Sequence, residues 1–68
     1  MIYKISFVVP GRRDAGGIEN ADRRPTPGDQ WQVGDRLLHV VEVIELMPPR
    51  GEFTYLHATC KLVETAGR

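Results

Sequence analysis

Hydrophobic and polar positions alternate cleanly at the start of the chain. From Ile2 to Val9, Tyr3, Ile5, Phe7 and Val9 share one side and Lys4 and Ser6 the other, which predicts a half-buried strand. Pro10-Gly11 ends it, because proline cannot donate to a ladder and glycine admits turn geometry. A short strand is predicted over Gln30 to Val33, a long one over Arg36 to Leu46, and a last one over Phe53 to Val63. Gly34-Asp35 fits a tight hairpin between the first two of these, since glycine tolerates positive φ and aspartate bonds its own backbone. Met47 to Glu52 holds two consecutive prolines and is expected to be a loop. No stretch carries a helical apolar stripe with caps, an internal repeat or a heptad. The expectation is one small all-β domain over residues 1–68. It takes the form of a strongly bent antiparallel sheet or SH3-like barrel of about four or five strands. It carries a long N-terminal loop at 10–28 and a polar tail at 64–68.

Register follows from the expected connection. The connection between the long strands is taken to pair Leu46 with Thr54, Ile44 with Leu56 and Val40 with Cys60. The core face is then Leu38, Val40, Ile44, Leu46, Leu56, Ala58, Cys60 and Leu62. Glu42 is the misfit, and a bulge near it would turn its carboxylate outward. The opposite face carries Leu37, His39, Val41, Val43, Phe53, Tyr55, His57 and Val63, too apolar for plain solvent, and Val41, Val43, Tyr55 and Val63 are the candidate interface.

Composition changes this picture in two ways. Sixty-eight residues bury a small core, and such domains lean on disulfides, metals or self-association. With one cysteine, Cys60, there is no intrachain disulfide, and with two histidines there is a poor ligand stock for structural zinc. Self-association is therefore expected, with no cofactor and no metal. The strands also place Cys60 and the two histidines, His39 and His57, on opposite faces. The opening MIYKISFVV is too short and too alternating for a signal peptide or a membrane span, so the expected setting is cytoplasmic, without a membrane partner.

Nine Lys and Arg balance nine Asp and Glu, so there is no global basic excess to hold nucleic acid. The loop from Pro10 to Gly28 is different, with four arginines and only one large aliphatic residue, Ile18. Arg12, Arg13, Arg23 and Arg24 are candidates for holding an anionic ligand or nucleic acid, since guanidiniums grip phosphate and carboxylate bidentately. Asp14, Glu19 and Asp22 offset them, which favours a solvated loop surface. Trp31 is either a stacking platform for single strands or an anchor of the core beside Leu38.

The stretch GDQWQVGDRLLHVVEVIELM resembles the GD-x-V-x-x-GD-x-L run that precedes the modified lysine in biotinyl and lipoyl carrier domains. The resemblance covers about twenty residues, and Glu45 stands nearest to where those families carry the lysine. Without that amine there is nothing to acylate, and both Gly-Asp pairs serve as turn chemistry. Catalytic groups are sparse: Ser6 is the single serine, and Glu42 and Glu45 fall on opposite faces of an ideal strand. The first functional expectation is a non-enzymatic binding or assembly module that self-associates. The second is a single-stranded nucleic-acid or RNA-binding barrel using the arginines and exposed aromatics. The third is a small enzyme with a site shared between subunits.

Overall fold

The alternating opening segment forms β1 (Ile2–Val8), and its apolar side, Ile5 and Phe7, is buried. A computed structural model describes residues 1–65; of Arg13, Pro48, Pro49, Arg50, Glu64 and Thr65 the backbone alone is described. A 3-10 turn (Arg13–Ala15) leads into β2 (Gly17–Ala21), followed by β3 (Gln30–Val33), β4 (Arg36–Arg50) and β5 (Phe53–Thr65). The five strands make one sheet in the order β2-β1-β5-β4-β3. It curls through 246° into a half-barrel, the small bent sheet that the alternation predicts. Residues 66–68 of the expected tail lie outside the described residues.

Three of the four pairings are antiparallel, and β1 with β5 is parallel. The long path through β2, β3 and β4 lets the chain return beside β1 in the same direction, which a tight hairpin could not do. Two-residue turns at Gly34-Asp35 and Gly51-Glu52 close the β3–β4 and β4–β5 hairpins. Each has its glycine first, at φ +62° and +63°, a geometry whose twist matches the flanking strands.

The inner face holds the core: Ile5, Phe7, Leu38, Val40, Leu56 and Cys60 are essentially fully buried. The segment between β1 and β3 is not a free loop. Its middle is β2, paired with β1 from Phe7↔Gly17 to Tyr3↔Ala21. Ala15 and Pro25, on either side of β2, are buried, and Ala15 belongs to the core cluster. Gly17 approaches Val33 so closely that the two outer strands nearly meet.

The β4–β5 register departs from expectation at several places, and the shift after Val40 has the largest consequence. Val40 does pair with Cys60, and a bulge follows at Val41, beside Glu42 as anticipated. The extra residue shifts everything beyond it by one, so Ile44 pairs with His57 rather than Leu56. A shift of one residue exchanges the faces of a strand. Val43 consequently packs on the core, whereas Ile44 and Leu46, expected inside, are exposed. Further irregularities follow at Glu45/Met47 and Met47/Arg50, and β4 runs through both prolines instead of ending before them. Proline is tolerated there because β3 ends opposite His39, leaving this half of β4 an edge. Among the described residues no helix is long and apolar enough to cross a membrane.

Candidate interaction surface

Two surfaces compete for a role, the arginine-bearing segment and the outer face of the sheet. The arginines leave from opposite ends of the β1–β2 ribbon, Arg12 beyond Phe7↔Gly17 and Arg23 beyond Tyr3↔Ala21. Those five paired positions span about 13 Å of strand. Arg12 Nε donates to Asp14 Oδ1 at 3.4 Å, and both side chains are more than half exposed. That hydrogen bond, with the backbone amide of Asp14 and the Arg12 charge, holds the Asp14 carboxyl below its usual range. The side chain of Arg13 lies outside the described residues, and Arg24 is exposed.

Arg23 is held more firmly. Its guanidinium lies 4.2 Å from the centre of the Trp31 ring, and its Nη1 donates to Asp29 Oδ2 at 3.4 Å. Asp29 closes the turn Thr26–Asp29, in which its N–H donates to the Thr26 carbonyl at 3.0 Å and Oδ2 accepts the Thr26 N–H at 3.0 Å. The Thr26 amide is the main cause of the lowered Asp29 pKa; burial opposes it, and Trp31 and Arg23 add to it. The indole N–H has no hydrogen bond of good geometry, although it lies close enough to Asp29 to contribute there. The other neighbour of the Trp31 ring is Phe7, with centroids 5.4 Å apart and planes tilted by 42°. Trp31 is thus a core anchor beside Leu38 that wears an arginine cap, not a bare platform.

The outer face is built from alternate residues of β1, β5 and β4. Ile2 pairs with Phe53, Tyr55 with both Lys4 and Met47, and His57 with both Ser6 and Ile44. Directly paired residues sit about 5 Å apart, within side-chain contact. Ile2, Phe53, Tyr55, Met47 and Ile44 therefore form one apolar patch over three strands. Four of its members are 40–47% exposed, Tyr55 being half-buried. Lys4 marks one rim, its Nζ 6.0 Å from the Tyr55 ring centre.

The four residues expected at an interface do not share this patch. Tyr55 belongs to it, but Val43 is on the core. Val41 is exposed as the bulge residue, and Val63 lies eight residues beyond Tyr55 on β5, about 26 Å along the strand. Ile44, Met47, Phe53 and Ile2 replace them. The bulge beside Glu42 was the signal that could have found Ile44, and Phe53 already stands on this face by sequence. Met47 depends on the second irregularity after Glu45, and Ile2 on the parallel pairing of β1 with β5. Among the described residues no three His, Cys, Asp or Glu side chains converge as metal ligands do. No protein-family model matches the chain, and no curated protein or solved structure matches it at a significant level.

Proposed function

We propose that this chain is a non-enzymatic assembly module of the cytoplasm that binds a second copy of itself through the outer face of its sheet. The observation that carries the reading is the contiguous patch of Ile2, Ile44, Met47, Phe53 and Tyr55. Clustered apolar side chains of this kind mark contact surfaces rather than solvated ones. A second copy suits the patch for two reasons. The chain has no net charge, so copies do not repel at long range, and the patch holds no carboxylate to leave unpaired. A chain of this length also gains most by sharing apolar surface with its own kind.

Side-chain faces, rather than strand edges, are the means of contact. The free edge of β4 carries bulges at Val41 and around Met47 and two prolines, devices that keep edges from pairing with other chains. The alternative of an anion or nucleic-acid site lacks comparable support. Arg12 and Arg23 leave from opposite ends of the β1–β2 ribbon and form no joint cluster, and Arg23 is spent on Asp29 and Trp31. The test is molar mass by light scattering over a wide concentration range. The wild type rises above the monomer mass of 7.7 kDa as concentration increases, and Phe53→Lys remains at it. A wild type that stays at the monomer mass throughout defeats the reading.

A further inference from the structure

The notch beside the C-terminal half of β5 has a separate character. Pairing of β1 with β5 stops at Val8↔Thr59. Pro10 has no N–H to continue it, and the turn closed by the Arg12 N–H on the Val9 carbonyl (2.9 Å) carries the chain away. β5 nevertheless runs on to Thr65 with β4 along its other side. Among the described residues, no strand lies beside positions 60–65 of β5 where β1 has departed. An open volume of about 400 Å3 occupies this place. Among the described residues, Pro10, Val41 and Leu62 supply its accessible apolar lining, with the nearly buried Val9 and Cys60 behind them, and Arg12 and Lys61 are its cations. Among the described residues no carboxylate lines it, and Arg12 is paired with Asp14 in an exposed and easily exchanged pair.

The geometry points to this notch as a binding site for an extended peptide that ends in an apolar residue with a free carboxylate. Three features converge on that chemistry. A strand edge without a neighbour offers main-chain hydrogen bonds to any extended segment, whatever its sequence. Five residues from Lys61 to Thr65 give about 16 Å of edge, enough for four or five residues of peptide. The lining of Pro10, Val41 and Leu62 takes one apolar side chain, and Arg12 and Lys61 take the terminal carboxylate by charge-assisted hydrogen bonds. This edge carries a single irregularity, at Val63, and no proline, whereas β4 combines several bulges with two prolines that resist addition. The site is on a different part of β5 from the self-association patch, so the two occupy separate surfaces.

The experiment uses the full chain, labelled with 15N. It is titrated with a mixture of acetylated, strand-favouring pentapeptides ending in valine, leucine, isoleucine or phenylalanine. The same mixture with amidated C-termini and octanoate are the comparison probes. The carboxylate peptides shift Val9, Arg12 and Lys61 to Val63 saturably and slow amide exchange on that stretch of β5. They bind about tenfold or more tighter than the amides, and Arg12→Glu and Lys61→Glu each weaken them by about tenfold without lowering the melting temperature. Phe53→Lys, which addresses self-association alone, leaves the peptide titration unchanged. Three results overturn the site. One is the absence of any saturable shift at millimolar peptide, and another is equal binding of the amides. The third is octanoate reproducing the shifts, which would make the notch a small-acid pocket rather than a strand acceptor.

Discussion

Gly16 has an extended backbone, φ −90° and ψ −173°, that any residue adopts, yet no side chain fits there. A Cβ built on it overlaps the carbonyl oxygen of Phe7, a backbone atom that cannot swing aside. Gly16→Ala is expected to cost about 1–3 kcal/mol, the range for forcing extra carbon into a packed site, read as a lowered denaturant midpoint. Cys60 is governed by its surroundings in another way. Burial pushes its thiol up to about 11, and the side chain reaches no partner better than the Ala58 carbonyl at 3.6 Å. A thiol whose pKa is raised in the folded state favours folding fully below its unfolded value, near 9, and loses that contribution as pH rises through 11. Melting temperature should therefore decline between these values, and Cys60→Ser should flatten that part of the profile. Asp29 has the opposite sign. Its carboxyl, held low by the Thr26 amide, stabilises the Thr26–Asp29 turn above the usual carboxylate pKa and loses this as pH falls through its lower folded value. Asp29→Asn should remove that acid-side dependence.

At the scale of elements, the bulge at Val41 decides which residues of β4 face inward. It yields a comparison between neighbours. Val43→Lys puts an ammonium against the core and is expected to destabilise by about 2–5 kcal/mol, the scale of losing a core side chain. Ile44→Lys, one residue on and 47% exposed, should leave stability of the monomer within about 0.5 kcal/mol. Equal losses for the two variants, measured by chemical denaturation, would contradict the register. Much of this was legible in the sequence. Alternation located β1, β3 and the main parts of β4 and β5, and the misfit of Glu42 located the bulge. Its downstream effect was not legible, because a six-residue connection after Leu46 seemed to fix the register independently. β2 was hidden for a different reason. Gly17-Ile-Glu-Asn-Ala has one large apolar residue, Ile18, and the structure turns it outward, 68% exposed. β2 exists because β1 offers it an edge, a tertiary cause that local propensity does not carry. The parallel contact of β1 with β5 joins residues some fifty positions apart, again outside the reach of local pattern.

The whole molecule is elongated, 40 × 20 × 19 Å, with the β4–β5 hairpin as its longest feature. Ile2, Met47 and Phe53 lie by the turn of that hairpin. Curling through 246° encloses the inner face of the sheet, and the apolar patch on its outer face is what remains for a partner. If a second copy covers it, Phe53 and Tyr55 are the aromatic anchors. Phe53→Lys should then weaken association by about 2 kcal/mol or more, the threshold of an interface hot spot. The same reasoning makes unfolding concentration-dependent in the wild type, since association stabilises only the folded chain. The most direct test asks which atoms of two copies touch. In a concentrated mixture of isotope-labelled and unlabelled chains, isotope-filtered NOE spectra report contacts between copies alone. The account predicts intermolecular NOEs linking the Phe53 and Tyr55 rings of one copy to the Ile44, Met47 or Ile2 methyl groups of the other. No intermolecular NOE at millimolar concentration, or NOEs confined to Val41, Val63 and the arginine segment, would contradict it.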